Sequence, residues 1–414
     1  MQRKTLVIFI IVFSLLGIGI FLMSRLVTTK KVAGPQDTDT STYRQFESLS
    51  GEQEGTLSGI INRTIDSLTG TQTTEPSFSQ ITDFQIAGVT YLEDTRKIQT
   101  EDTTTEQYAL VPSLRYVERA TGYIHQIYLD TKKQGVISNA SIPGVQEVLF
   151  GNNGQTVMYR YIDTEDRTTI NSFIATLGGE KGEFLPDNII SVNFSPENNS
   201  IFYIVKDTVG VRGIIKSTTE TKTSQLWTSP FSEWTSEWPT QGTIFLTTKP
   251  SWRVGGSLWG LNTKTGVLTK ILSGIPGLTT HTNKDASYLI YNTTTTNGPR
   301  LSVYSMAKNT TLDLGVYGLP EKCVWSNTQT TIVYCALPAL FVGTAYPDSW
   351  YQGKTSFDDR FVKINAETGI VTQITEGQHV EQIDAIALSL DKTEDALFFT
   401  NKKDSTLWSL SLTQ

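Results

Sequence analysis

Aromatic and acidic side chains cluster in one segment of this 414-residue chain, between residues 339 and 359, and they are the side chains most suited to bind a ligand. The candidate contacts in this segment are Asp348, Trp350, Tyr351, Asp358 and Asp359. Aromatic rings beside carboxylates suit a sugar, a peptide or a cation, and loops on a rigid scaffold often carry function. The alternative is that the segment packs over its own domain, with the aromatic rings as a small core.

A second candidate ligand contact is Trp234, which precedes Trp238 by four residues and follows Glu233. Trp238 aligns with Phe150 and Phe194 in the repeat described below, so it is expected to belong to the core. Trp234 has no such counterpart and is freer to contact a ligand.

Catalytic motifs give little support for an enzyme. The three histidines are His125, His281 and His379, and His281 falls at a repeated position that indicates a structural role. The motifs of metalloproteases, serine hydrolases, P-loop proteins and dinucleotide-binding proteins do not occur. Asp358 and Asp359 are adjacent, so their side chains would diverge on a strand. A glycan hydrolase with carboxylates drawn from distant parts of the chain remains the alternative. No cofactor or metal site is predicted.

The two cysteines, Cys323 and Cys335, flank the segment CVWSNTQTTIVYC. If a hairpin centres on Gln329, the two residues lie opposite each other on one face, which a disulfide requires. A disulfide would indicate an oxidising compartment. Two buried free thiols are the alternative.

The element that must position these residues is a repeat. An apolar run, a polar turn and a second apolar run recur six times, and the steps between copies are 44, 44, 43, 44 and 63 residues. A period in the low forties is typical of the four-stranded blades of a β-propeller. An irregular unit before the first copy gives seven blades in all, with six or eight as alternatives. The long step contains the insertion at 339–359.

The last repeat lacks a fourth strand, because the chain ends at DSTLWSLSLTQ. An open blade would leave an unpaired strand edge. The segment SFSQITDFQI, which begins at Ser77, is expected to supply the missing strand and close the ring. The propeller is therefore expected to span 77–414.

The N-terminal region has a different composition. Residues 5–24 carry no charge, and about 20 apolar residues span a bilayer core. We expect residues 1–26 to form a single transmembrane anchor, with the N-terminus cytoplasmic and the propeller extracytoplasmic; a cleaved signal and a cytoplasmic propeller are the alternatives. Residues 27–76 are expected to form a linker or stalk, with a short helix at 43–68 as an option.

The segments NFSPENNSIFYIV and SLWGLNTKTG resemble the repeat motifs of TolB-like and WD40-like β-propellers over about Ser77 to Gln414. Stretches such as RYVERATGYIHQIYLD and AYPDSWYQGK also resemble uncharacterised single-pass propeller proteins of bacteria with reduced genomes. The resemblance implies the fold and specifies no activity. The G-H…W-D signature of true WD40 repeats is absent.

These features together predict a membrane-anchored binding or scaffolding module for an envelope protein, a peptide or a glycan. The alternative is a glycan-directed hydrolase with carboxylates at the propeller channel. A net charge of -7 makes nucleic acid an unsuitable partner.

Overall fold

The computed structural model describes residues 77–98, 107–151, 153–179, 182–375 and 382–412. Seven sheets of four antiparallel strands make up this part of the chain. First strands of successive blades contact each other, for example β10 (Ile189–Phe194) with β14 (Trp234–Thr240), and the contact of β2 (Ile86–Ile98) with β26 (Ala385–Leu390) joins the first blade to the last in a ring. The prediction of an all-β, seven-bladed propeller is therefore confirmed.

Each blade contributes one strand to each of four concentric layers. The inner strands, in blade order, are β2 Ile86–Ile98, β6 Val145–Gly151, β10 Ile189–Phe194, β14 Trp234–Thr240, β18 Thr280–Thr282, β22 Cys323–Trp325 and β26 Ala385–Leu390. The second strands are β3 Gln107–Glu118, β7 Thr156–Ile162, β11 Ser200–Asp207, β15 Thr243–Thr248, β19 Tyr288–Thr295, β23 Ile332–Pro338 and β27 Ala396–Asn401. The third strands are β4 Ile124–Tyr128, β8 Ile170–Thr176, β12 Gly210–Ser217, β16 Gly255–Asn262, β20 Gly298–Ser305, β24 Asp359–Asn365 and β28 Leu407–Ser411. The outer strands are β5 Gln134–Ser138, β9 Gly182–Phe184, β13 Thr223–Ser229, β17 Leu268–Pro276, β21 Thr310–Tyr317, β25 Val371–Gln373 and, for the seventh blade, β1 Phe78–Gln80.

The outer hairpins of blades 4 and 6 share one turn sequence. In blade 4, the Asn262 side chain accepts hydrogen bonds from the backbone N–H groups of Lys264 and Thr265, at 3.0 and 2.9 Å. The chain then reverses through Gly266 at a φ of 70°, a conformation that glycine adopts without steric cost. The N-x-x-T-G pattern therefore sets the hairpin by side-chain capping and by one left-handed residue.

The hydrophobic core lies between the blades. One cluster joins Ile290 and Leu301 of blade 5 to Trp325 and Val333 of blade 6. Equivalent clusters connect other adjacent pairs, such as blades 3 and 4. Each sheet therefore buries both faces against its neighbours, which explains the continuous apolar runs in the second strands.

The ring closes through the pairing of β1 with β28. Phe78 lies opposite Leu410 and Gln80 lies opposite Trp408. The expected closing segment is thus the observed one, although only three of its residues form strand. The pairing covers the strand edge that the last repeat would otherwise expose.

The antiparallel order places two kinds of loop on one face of the disc: the loops between second and third strands, and the connections from one blade to the next. This face, which we call the insertion face, carries the segment 339–358 between β23 and β24, the segment 249–254 between β15 and β16, and the single turn η1 (Pro320–Lys322). The side chains discussed below converge here.

The predicted anchor at 1–26 and the linker at 27–76, with its optional helix at 43–68, lie outside the described residues. Within the described part of the chain, no helix has the length and apolar character needed to cross a membrane.

Candidate functional site

The insertion folds around its own aromatic core. A short helix, α1 (Asp348–Tyr351), turns the chain so that Trp350 points inward, where only 3% of its surface is exposed. Tyr346 and Phe357 pack against the same core together with Leu319 from the preceding blade connection. The indole of Trp350 stacks on the Phe357 ring at 6.0 Å between centroids. Trp350 therefore anchors the insertion, which matches the alternative of a small core packed over the domain.

A buried ionic cluster fixes this core to the propeller. The Lys322 ammonium lies 2.5 Å from Asp384 and 2.8 Å from Asp359, and all three side chains are fully buried. The Asp384 carboxylate also accepts the indole N–H of Trp350 at 2.9 Å and the backbone N–H of Phe357 at 3.1 Å. Burial raises the pKa of Asp359 to about 6, against the opposing effect of Lys322. Asp359 therefore belongs to the interior of the protein and does not present its carboxylate to a ligand.

Glu321, the residue directly before Lys322, faces a cavity instead of the interior. This inner cavity, of about 260 Å³, lies at the mouth of the channel on the insertion face. Its walls come from the inner strands of blades 4 and 5, from η1 and from α1. The side chains that matter for chemistry are Glu237, Thr279, His281, Glu321 and Tyr351. Four of these five come from outside the insertion.

Glu237 and His281 form a hydrogen-bonded pair between neighbouring inner strands. Nδ1 of His281 lies 2.5 Å from Oε1 of Glu237, and the other carboxylate oxygen accepts the backbone N–H of Thr282 at 3.0 Å. About a third of the His281 side chain is exposed to solvent. Burial works against the charged imidazole, but the Glu237 carboxylate outweighs it and holds the pKa of His281 above its usual value.

Glu321 occupies a different environment in the same cavity. Desolvation raises the pKa of its carboxyl to about 7, although the Thr279 hydroxyl, 2.9 Å away, favours the charged form. The hydroxyl of Tyr351 donates a hydrogen bond to the other oxygen. The cavity therefore holds one carboxyl group that keeps its proton to higher pH than an exposed glutamate does. It also holds one imidazole that is oriented by a carboxylate.

A side cavity of about 500 Å³ adjoins the inner one. Thr235, Pro250 and Tyr351 line both cavities, so the phenol ring of Tyr351 stands between them. The charged residues of the side cavity are Arg160, Lys206, Lys249 and Glu233. Arg160 is paired with Glu147 at 2.5 Å, and Lys206 and Lys249 share Glu233, so this wall keeps one positive charge in excess within a chain that is acidic as a whole.

Trp234 lines the side cavity but is 6% exposed. Its ring packs edge-on against Trp227, and its indole N–H is donated to the backbone carbonyl of Phe231 at 2.9 Å. Trp234 therefore forms the floor of the cavity and offers little surface for contact. Of the six predicted ligand contacts, it and Tyr351 line these cavities.

The two remaining predicted contacts bind other parts of the protein. Asp348 accepts the backbone N–H of Trp252 at 2.8 Å, so it ties α1 to the segment 249–254 of blade 4. Asp358 bonds to the Lys403 ammonium at 2.5 Å and to the backbone N–H of Gln382. Among the described residues, no group of three or more His, Cys, Asp or Glu side chains is arranged to hold a metal ion.

Cys323 and Cys335 are joined by a disulfide between the first two strands of blade 6, where they lie directly opposite each other. Cys323 follows Lys322 directly, so the bond fixes the chain just after η1. It thereby holds the turn that directs Glu321 into the cavity and Lys322 into the interior.

Sequence reasoning gave His281 a structural role and did not single out Glu321. A usable signal was nevertheless present in the repeat, because residues one period apart on inner strands become neighbours around the ring. Glu237 and His281 are 44 residues apart and hydrogen-bond, and the indole of Trp325 donates to the carbonyl of His281 across another 44 residues. A search for acid–base pairs at this spacing would have found the first pair.

No protein-family model matches the chain, and no curated protein matches it. Among solved structures, it is similar to an oligogalacturonate lyase in complex with manganese, with 10% identity, a TM-score of 0.48, and coverage of 81% of this chain and 98% of that one. It is also similar to a puromycin-hydrolyzing peptidase of Mycobacterium tuberculosis, with 12% identity and a TM-score of 0.44. That similarity covers 74% of this chain and 50% of the peptidase. At these identities the likeness concerns the fold alone.

Proposed function

We propose that this protein binds an acidic saccharide at the mouth of its channel. The observation that supports this function best is the pair of adjoining cavities on the insertion face, with Tyr351 on the wall between them. Ligand sites in proteins are concave and contain a few convergent polar groups. The inner cavity has these groups in hydroxyl, imidazole and carboxyl side chains, which match the many hydroxyls of a sugar.

The charge of the side cavity supports the acidic character of the ligand. Lys249 and Lys206 share one carboxylate, Glu233, at 2.8 and 3.5 Å. Arg160 is already paired with the Glu147 carboxylate at 2.5 Å, so the unbalanced charge belongs to the two lysines. A ligand carboxylate would balance the second of these two lysine charges. Because the two cavities share a wall, one oligosaccharide can place a neutral hydroxyl-rich part in the inner cavity and an acidic part in the side cavity.

Binding to a panel of oligosaccharides tests this proposal. The panel contains glucuronate- and galacturonate-bearing oligosaccharides together with their carboxyl-reduced, neutral counterparts. We expect the full-length protein in detergent to bind acidic members more tightly, and we expect the affinity to fall as salt screens the charges.

Variants locate the binding site. Tyr351→Ala and Lys249→Gln are expected to weaken binding, whereas Lys308→Gln, an exposed lysine on the β20–β21 turn, serves as a matched control. Equal binding of acidic and neutral members, or no effect of Tyr351→Ala, would contradict the proposal.

We also propose that residues 1–26 anchor the propeller on the outer side of a membrane. The uncharged stretch 5–24 supports the anchor, and the Cys323–Cys335 disulfide supports an oxidising compartment. Protease added to intact cells should digest the propeller. Complete protection until the cells are permeabilised would place it on the cytoplasmic side.

A further inference from the structure

The inner cavity contains the two kinds of group that hydrolysis of a glycosidic bond requires. One is a proton donor with a pKa near the working pH, and the other is a base that can activate water. The inference that follows rests on the proposed function, since it assigns chemistry to the cavity in which we propose that a saccharide binds.

Glu321 has the environment of a general acid. It lines the cavity, it comes from a turn whose neighbour Lys322 is locked in the interior, and it is held by the hydroxyls of Thr279 and Tyr351. A carboxyl group that is desolvated, and not paired with a cation, retains its proton to higher pH. The Lys322 ammonium is bound to Asp359 and Asp384, and among the described residues no salt bridge reaches Glu321.

His281 has the environment of a general base. Its Nδ1 is bound to Glu237, which fixes the orientation of the ring and stabilises the imidazolium that forms when the base takes a proton. Among the described residues, the structure gives Nε2 no hydrogen-bond partner, and the ring is partly exposed at the cavity wall. Nε2 is therefore the nitrogen that can accept a proton from water.

We propose that Glu321 and His281, with Glu237 as the positioning residue, hydrolyse a glycosidic bond of the acidic saccharide. Glu321 donates its proton to the glycosidic oxygen while the bond from that oxygen to the anomeric carbon breaks. A water oxygen forms the new bond to the anomeric carbon, and Nε2 of His281 takes the proton that this water loses. Exchange with solvent returns the proton from His281 and reprotonates Glu321, so that atoms and charge balance.

The mechanism predicts the stereochemistry of the product. Because water attacks directly and no side chain forms a covalent bond to the sugar, the anomeric configuration inverts. The mechanism also predicts a bell-shaped dependence of kcat/KM on pH. Glu321 must be protonated and His281 must be neutral for the reaction to proceed. The pKa of Glu321 is about 7, and the pKa of His281 lies above the usual imidazole value.

The experiment uses the oligosaccharides that the full-length protein binds in the panel described above, with products followed by proton NMR. We expect cleavage with inversion. Glu321→Gln and His281→Gln should each lower kcat by about 10²- to 10⁴-fold, the usual contribution of one acid or base, and this loss should be much larger than any change in affinity. Glu367→Gln, at an exposed carboxylate on the outer hairpin of blade 6, is the control and should leave both unchanged.

The two proposals fail in different ways. Absence of binding to every acidic member overturns the proposed function and, with it, the catalytic site. Binding without cleavage by the wild-type protein overturns the catalytic inference alone. Three other results also overturn the catalytic inference alone: cleavage that persists in Glu321→Gln, retention of the anomeric configuration, and an unsaturated product. The last of these indicates elimination instead of addition of water.

Discussion

The ammonium of Lys322 lies 2.5 Å from the carboxylate of Asp384, and neither side chain is exposed to solvent. This contact joins η1 of blade 6 to the start of blade 7, and Asp384 in turn holds the insertion through Trp350 and Phe357. One buried pair thus fixes two blades and the loop that covers them. The geometry of the inner cavity depends on it, because Glu321 is the preceding residue.

Replacement of Lys322 by Met should strongly destabilise the propeller. The variant leaves the carboxylates of Asp359 and Asp384 buried without their cation, which typically costs about 3–5 kcal/mol. Chemical denaturation measures the loss. Lys308→Met removes an exposed pair with Glu367 and should cost less than about 1 kcal/mol. A similar small loss for both variants would show that the buried cluster does not stabilise the fold.

Replacement of Trp350 by Phe tests the bond between the insertion and Asp384. The aromatic ring is kept while the N–H donor to a charged acceptor is lost, so we expect a loss of about 1.5–3 kcal/mol. Trp408→Phe is the control, because its indole N–H bonds to the neutral hydroxyl of Thr406 at 2.7 Å. Its expected loss is about 0.5–1.5 kcal/mol. Equal losses would mean that the charge on Asp384 does not strengthen the bond.

The stability of the propeller should fall as pH rises from about 5 to about 7. Glu321 has an ordinary pKa of 4.5 and a pKa of about 7 in the folded protein, so the folded state binds more protons than the unfolded state in this window. Stability then decreases with pH, and the decrease is complete above about pH 7. The raised pKa of His281 acts in the same direction, since its contribution is present below pH 6.5 and is lost above the folded pKa.

Thermal melts across this range check the prediction. Glu321→Gln cannot ionise and should show a shallower fall than the wild-type protein. Glu367→Gln should keep the wild-type slope, because its carboxylate is exposed. If all three proteins have the same slope, Glu321 does not titrate in the window.

Replacement of Thr279 by Val should raise the pKa of Glu321 above about 7. The Thr279 hydroxyl lies 2.9 Å from the Glu321 carboxyl and favours its charged form, and valine has nearly the same shape without the hydroxyl. Carbon-13 NMR titration of labelled glutamate measures the shift. Thr247→Val is the matched control, since Thr247 lines the same cavity and bonds to Thr280 instead. An unchanged or lowered pKa in Thr279→Val would contradict the prediction.

Removal of the disulfide by the double variant Cys323→Ser/Cys335→Ser should cost roughly 3 kcal/mol, the value typical of a short closed loop. The two residues are 12 apart in sequence. Reduction of the wild-type protein should lower the melting temperature similarly, and reductant should not affect the variant. A wild-type melting temperature that is insensitive to reductant would mean that the bond does not contribute to stability.

The seven-bladed architecture could be predicted because each blade repeats the same pattern of apolar strands and polar turns. The period near 44 is the length of one four-stranded blade, and the N-x-x-T-G turns indicate the outer hairpins. The absent last strand indicated closure by the segment at Ser77, which pairs with β28 as expected. None of these inferences needs the conformation of a particular side chain.

The site was harder to predict, because neighbouring residues along the chain point in different directions. Trp350 is buried while Tyr351 reaches the cavity, and Lys322 is buried while Glu321 faces the cavity. Composition identified the insertion but could not separate these pairs, since the direction of each side chain is set by one short helix and one 3₁₀ turn. Glu321 also lies 84 residues from Glu237, and the packing of consecutive blades side by side brings the two into one cavity.

The closing strand β1 has a mechanical consequence. A pull on the chain that precedes Ser77 loads β1 first, and this strand is short, with three residues in register from Phe78 to Gln80 and backbone hydrogen bonds at Ser77 and Ile81 on either side. Under tension, the outermost strand of blade 7 would detach before any other sheet is stretched. Blade 7 would then keep three strands while the six other blades keep all four. The propeller therefore yields to force at its rim, far from the channel.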